Sequence, residues 1–206
     1  MLKILVVKYL PRGDRSNTKA LLDAFLDAVR GKAQLEELDL GLELPDFFTP
    51  ERLAAYLERD YGGKKLGPEQ AAEMAKMDRM TEQLRRNDAV VLATPMQNFT
   101  LPAPVKAWFD SVMLKGKTWD LGAKGYLGLM KGKRALVLYS SGGVYAGSSW
   151  AAYDHLTELA KVEFGFMGYE TEVIGAQGMN ALSAEQAEAA VKAAAAKART
   201  AAAKWV

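Results

Sequence analysis

The residues best suited to chemistry lie in three short segments that mix hydroxyls, amides, glycines and rings. The sharpest is Thr94-Pro95-Met96-Gln97-Asn98-Phe99-Thr100-Leu101-Pro102. Its two prolines predict an extended path whose backbone donors and acceptors stay unpaired within the protein. Asn98 can both donate and accept, and Met96 and Phe99 offer apolar faces. A flat, amphipathic heterocycle needs such groups. The second segment is Ser140-Ser141-Gly142-Gly143-Val144-Tyr145-Ala146-Gly147, where adjacent glycines let the backbone approach a planar ligand or adopt positive φ. In the third, Tyr9 to Thr18, Ser16, Asn17 and Thr18 lead into a helix. Hydroxyls and free amides there form an anion site, and Arg15 can add a charge-assisted contact to a phosphate. Each segment also has a plainer reading: a proline-bounded turn, a glycine turn and a helix cap.

Stepping these segments into register requires strands ahead of them. Five short apolar runs have the length and β-branched content of buried parallel strands: Lys3–Lys8, Leu35–Leu40, Ala89–Ala93, Ala135–Tyr139 and Thr171–Ile174. The second carries Glu36, Glu37 and Asp39 and is expected near a sheet edge. Helical patterns fall between them, with Leu21, Leu22, Phe25 and Val29 on one face and Val105, Trp108, Phe109, Val112 and Met113 on another. Thr49-Pro50 and Leu101-Pro102 open helices with proline in the first turn, and Ser183-Ala184-Glu185-Gln186 is a capping box. A further helix is predicted from about Trp150 to Phe164, with His155 on its surface. Between the second and third strands there is room for helices near Pro50–Arg59 and Pro68–Arg86, an extra element that could serve as lid, dimer contact or embellishment. Alternating strands and helices imply an α/β fold with a parallel sheet covered on both faces, in one domain spanning 1–206. The three chemical segments would then follow strands one, three and four, at the carboxyl edge where such sheets bind ligands.

Composition removes several classes of function. The 206 residues hold no cysteine and one histidine, His155, which excludes disulfides, thiol chemistry and zinc clusters. Redox or transfer chemistry must lean on a bound cofactor or on hydroxyl and backbone groups. The 27 basic and 25 acidic side chains are mixed along the chain, so no nucleic-acid footprint stands out. The glycine spacing is neither G-x-G-x-x-G nor a Walker loop, and Lys8-Tyr9 replaces the paired carboxylates of a phospho-acceptor receiver. No apolar run approaches the roughly 20 residues of a membrane span. Met1 to Val7 reads as a buried strand rather than an export signal, leaving the cytoplasm as the expected location.

The segment Pro95-Met96-Gln97-Asn98-Phe99 with Leu101-Pro102 resembles the P-M-Y-N-F-x-I-P stretch of the FMN-dependent NADH-azoreductase and quinone reductase family. Ser140-Ser141-Gly142-Gly143 is similar to that family's glycine loop. Gly132-Lys133-Arg134-Ala135, Thr118-Trp119 and Asn17 fit as well, so the resemblance covers nearly the whole chain. There are departures. Gln97 stands for the usual tyrosine, and Tyr145 where some members have histidine. The first loop is short, with Tyr9, Pro11, Arg12 and Asp14 where serines are common.

The resemblance implies a flavodoxin-like, doubly wound five-stranded parallel sheet and a homodimer with FMN at the interface. It implies an enzyme that passes hydride from NADH or NADPH, through the flavin, to quinones and azo compounds. Arg15, Ser16 and Asn17 would hold the FMN phosphate; Pro95, Met96, Gln97, Asn98 and Phe99 with Ser140, Ser141, Gly142 and Gly143 would hold the ring. Trp119, Tyr145 and Phe166 would wall the acceptor pocket, or serve as ordinary packing. No metal is expected. The rival is a flavodoxin-type electron carrier served by a protein partner, which the slightly basic charge disfavours; nitro or FMN reduction are close neighbours.

Overall fold

Ile4, Leu5, Val6 and Val7 are all fully buried, and they enter two different apolar layers in alternation. Leu5 and Val7 face one core, Ile4 and Val6 the other, as the two-residue period of a strand demands. A strand buried on both faces must be central in a sheet covered on both sides.

The computed structural model describes residues 1–206. In chain order the elements are β1 (Leu2–Lys8), α1 (Asn17–Val29), β2 (Ala33–Asp39), α2 (Pro50–Tyr56), α3 (Pro68–Arg86), β3 (Ala89–Pro95) and α4 (Ala103–Val112). There follow β4 (Trp119–Gly122), β5 (Gly125–Gly128), β6 (Arg134–Ser140), α5 (His155–Met167), β7 (Glu170–Ala176) and α6 (Ala184–Ala203). The main sheet has the order β2-β1-β3-β6-β7, with every neighbouring pair parallel. All five predicted strands are present. β2 is an edge strand, and Glu36 on it pairs with Arg86 at the end of α3.

Alternation repeats across the sheet. Val90, Leu92, Val137 and Tyr139 pack with Leu5 and Val7 beneath α3, α4 and α5. Val91, Ala93, Leu136 and Leu138 pack with Ile4 and Val6 beneath α1 and α6. Phe109 and Phe164 meet edge to face with centroids 4.9 Å apart in the first layer. Truncating either to alanine would cost about 3–5 kcal/mol. The alanines of α6 allow it to lie close against α1, with Ala194, Ala198 and Ala201 buried.

Three features differ from expectation. α5 begins at His155, not near Trp150, because the Asp154 carboxylate caps it by accepting from the Thr157 amide at 2.9 Å. Residues 148–153 form turns instead, one held by the Ser148 hydroxyl donating to Val144 O. A two-stranded antiparallel hairpin, β4–β5, also joins the fold outside the main sheet. It lies flat on the end of α5: a Cβ at Gly128 would stand 2.5 Å from the Met167 backbone, so only glycine fits. Finally, the extra segment after β2 packs on the body. α2 and a π turn at Leu57–Tyr61 bury Ala55 and Tyr56 against Met74, Met77 and Leu114, and Arg59 pairs with Asp78 at 2.6 Å. No helix is long and apolar enough to cross a membrane.

Candidate functional site

The sheet order reverses direction between β1 and β3, so the loops at their carboxyl ends part and leave a crevice. The first loop spans it with a single 3-10 turn, Gly13–Arg15, closed by Ser16 N–H donating to Gly13 O at 3.0 Å. Ser16 then caps α1, its hydroxyl accepting from the Lys19 amide at 3.4 Å. The amides of Asn17 and Thr18 find no acceptor in the protein. Two free donors at the positive end of a 13-residue helix suit an anion.

The loop after β3 is not extended. Gln97 and Thr100 exchange two backbone hydrogen bonds at 3.0 Å each, closing a tight turn with Asn98 at φ 45° and Phe99 at φ 73°. Asparagine tolerates the left-handed region; an aromatic residue there stores strain of about 1–3 kcal/mol. His155 N–H donating to Phe99 O at 3.0 Å helps to hold it. Pro102 is the N-cap of α4 rather than part of its first turn, where Pro104 stands, and the preceding residues curl because Gln97 and Thr100 pair. The amides of Asn98 and Phe99 remain free, whereas those of Gln97 and Thr100 do not.

Past β6 the backbone amides of Gly142, Gly143 and Val144 are likewise without acceptors. Their neighbouring carbonyls are taken up from the other side by the loop after β7. The glycines leave little room for a side chain: a Cβ on Gly142 would displace the end of the Asn180 side chain, whose Nδ2 would lie 2.8 Å away, and one on Gly143 would sit 3.3 Å from the Tyr145 ring.

These loops enclose a cleft of about 230 Å³. Ser16 and Asn17 line it from α1, Pro95, Met96 and Gln97 from the β3 loop, and Ser140, Ser141 and Gly142 from the β6 loop. Eight of the residues expected at a cofactor site therefore meet in one place. A second, more apolar hollow of about 430 Å³ is lined by Phe99, Gly143, Val144, Tyr145 and Trp150. Gly142 lines the first space and Gly143 the second, so the β6 loop borders both.

Not every expected residue is there. Both arginines of the first loop are exposed; Arg15 lines neither space, while Arg12, just before the 3-10 turn, lines the cleft. The turn carries the chain back over the crevice at Pro11 and Arg12 and away from it at Arg15. The Asn98 side chain lines neither space; what it contributes is a free amide in a turn its residue type permits. Trp119 and Phe166 stand apart from Tyr145. Their rings lie 5.3 Å from each other and pack with Tyr126, and the Trp119 indole donates to Met113 O at 2.9 Å. Phe166 lies eleven residues along α5 from His155, about 17 Å at the rise of a helix, toward the opposite edge of the sheet. The sequence reading also missed Met179 and Asn180, which line the cleft from the loop after β7. Their only signal was position after a strand, at Gly178 and Asn180.

A flavodoxin-like fold family matches residues 2–202, and the chain belongs to it. It is 34% identical over 174 residues to an FMN-dependent NADH:quinone oxidoreductase of Nitratidesulfovibrio vulgaris (strain DP4), covering 82% of each chain. An enzyme of the same description from Shewanella amazonensis is 33% identical over 194 residues, 93% of this chain and 95% of the relative. Among solved structures, an azoreductase from Bacillus anthracis str. Sterne superposes with a TM-score of 0.89 at 26% identity, covering 99% of this chain and 100% of that one.

Proposed function

We propose that this chain is an FMN-dependent oxidoreductase that carries hydride from NADH or NADPH to quinone- or azo-type acceptors. The observation that carries the proposal is the set of unpaired backbone amides, Asn17, Thr18, Asn98, Phe99, Gly142, Gly143 and Val144, on the three loops that border the cleft and the apolar hollow. Asn98 and Phe99 are exposed, but Thr18 is buried and Asn17 and Gly142 to Val144 are partly buried, and such donors left without a protein partner suit a ligand rich in acceptors. FMN has that pattern, with a phosphate at one end and a heterocyclic edge at the other. The relatives' names, which specify FMN, NADH and quinone, support the same reading.

Bound FMN supplies the hydride chemistry; the protein supplies position and electrostatics. Asn17, Thr18 and Ser16 hold the phosphate at the helix end, with Arg12 rather than Arg15 as the cationic partner. The β3 and β6 loops present fixed N–H groups to the ring edge, where they stabilise negative charge without reorganising. Met96 and Gln97 floor the cleft, and Phe99, Tyr145 and Trp150 offer an apolar wall to a flat nicotinamide or acceptor.

The working unit is a homodimer on this reading. Tyr126 is 71% exposed beside Trp119 and Phe166, and Phe47 is 66% exposed just before α2, which supports apolar contact surface on the chain. Quinone-dependent oxidation of NADH by the FMN-loaded protein, which sediments at twice the mass of the chain, tests the proposal. Loaded protein that leaves NADH unoxidised, or that runs as a monomer, refutes the corresponding half.

A further inference from the structure

The segment after β6 is held almost wholly by the segment after β7. Gly178 N–H donates to Ser141 O and Gly143 O at 3.1 and 2.9 Å, and Asn180 N–H donates to Gly142 O at 2.9 Å. These bonds occupy three consecutive carbonyls and turn the opposite, donor side of Gly142 and Gly143 outward. Beyond Gly143 the backbone partners run out. There the side chain of Gln177 takes over, its Oε1 accepting from the amides of Tyr145 and Ala146 at 2.7 and 2.9 Å.

The other end of that side chain is fixed too. Gln177 Nε2 donates to the Tyr139 hydroxyl at 2.5 Å. Tyr139 is buried in β6, and its hydroxyl donates to Asp154 Oδ2 at 3.3 Å, the same carboxylate that caps α5. An amide engaged at both ends cannot rotate, so the two accepted N–H groups are held at a set distance from the sheet. Tyr145 packs its ring over Gly143 and meets Phe99 edge to face at 6.4 Å. A shift of the turn would therefore move both the free amides and the aromatic wall.

We propose that Gln177 is a positioning residue: it clamps the Tyr145–Ala146 turn so that the donors of Gly142 to Val144 and the Tyr145 ring meet a bound flavin in fixed geometry. The proposal rests on the FMN reading above. The clamp itself exists without the cofactor, so it can be read independently.

The test compares wild type, Gln177→Leu, Gln177→Glu and Tyr139→Phe by amide hydrogen exchange without FMN and by FMN titration. Leucine cannot accept, so exchange at Tyr145 and Ala146 should accelerate at least about tenfold and FMN affinity should fall by about tenfold. Glutamate keeps an acceptor for both amides but loses the Nε2–H that meets the Tyr139 hydroxyl, so both readouts should recover part of the way from Gln177→Leu toward wild type. Tyr139→Phe frees one end of the Gln177 amide and should give intermediate values, which also serves if Gln177→Leu does not fold. Unchanged protection of the two amides in both Gln177→Leu and Tyr139→Phe would overturn the clamp. Loosened amides with wild-type FMN affinity, or no recovery in Gln177→Glu, would overturn the positioning role. Failure of wild type to bind FMN would instead overturn the functional reading, while the exchange data would still judge the clamp.

Discussion

Thr18 Oγ1 and Ser140 Oγ lie 2.8 Å apart in the interior and hydrogen-bond to each other across 122 positions of sequence. Either hydroxyl can be the donor. The pair ties the first turn of α1, where an anion would sit, to the end of β6, where the glycine loop begins. Thr18→Val keeps the shape and removes the partner, leaving the buried Ser140 hydroxyl unsatisfied. Urea unfolding of the cofactor-free protein should show a loss of about 1–3 kcal/mol. An unchanged midpoint would mean that the bond does not couple the two loops.

Arg12 and Arg15 separate the geometry from the sequence reading. Arg12→Ala should weaken FMN binding by roughly tenfold, more at low salt than at high, because a partly exposed ion pair is screened. Arg15→Ala should stay within about twofold. Fluorescence titration at two salt concentrations measures both, and the reverse ranking would move the phosphate to the other side of the turn.

Gly142 lines the cleft, and on the proposed reading its backbone faces the ring. Any Cβ meets Asn180 Nδ2 at 2.8 Å, and the branched side chain of valine would also intrude on the cleft. Gly142→Val should abolish measurable FMN retention while the far-ultraviolet circular dichroism stays that of wild type. Retained flavin in a folded variant would remove this loop from the site.

Much of this was legible from local pattern. The apolar runs beginning near Lys3, Ala89 and Ala135 are buried on both faces, and such strands announce themselves by composition alone. Glu36 and Glu37 marked β2 as an edge for the same reason. The β4–β5 hairpin did not stand out, because four-residue strands around Ala123-Lys124 carry too little periodicity. The helix predicted from Trp150 overran its true start, since Trp150, Tyr153 and Leu156 continue an apolar spacing that the Asp154 cap interrupts. At the cleft, residue types pointed to loops that the fold brings together, but not to which side chains turn inward. The orientation of Arg12, Asn98 and Phe166 is decided by turn geometry and by what packs behind it. The double acceptance at Gln177 Oε1 has no sequence signature at all.

Glu163 gives the protein a pH-dependent term far from the cleft. Burial raises its pKa above 4.5, against the opposing pull of Lys106 at 3.4 Å. Because the folded value exceeds the unfolded one, the stability contributed by its protonated form is complete below about 4.5 and is lost as pH rises through the folded value. Glutamine mimics the protonated form at every pH. Glu163→Gln should therefore be more stable than wild type near pH 7.5, with the difference closing toward pH 4. Denaturant midpoints at the two pH values decide it; an equal gap at both would show that burial of the charge is not the governing term.

The visible absorption spectrum of the purified protein reconstituted with FMN, followed anaerobically through additions of NADH and then benzoquinone, tests the central claim most directly. The account predicts stoichiometric flavin absorbance that NADH bleaches and benzoquinone restores. A protein that stays colourless after incubation with FMN, or a bound flavin that NADH leaves unchanged, would contradict it.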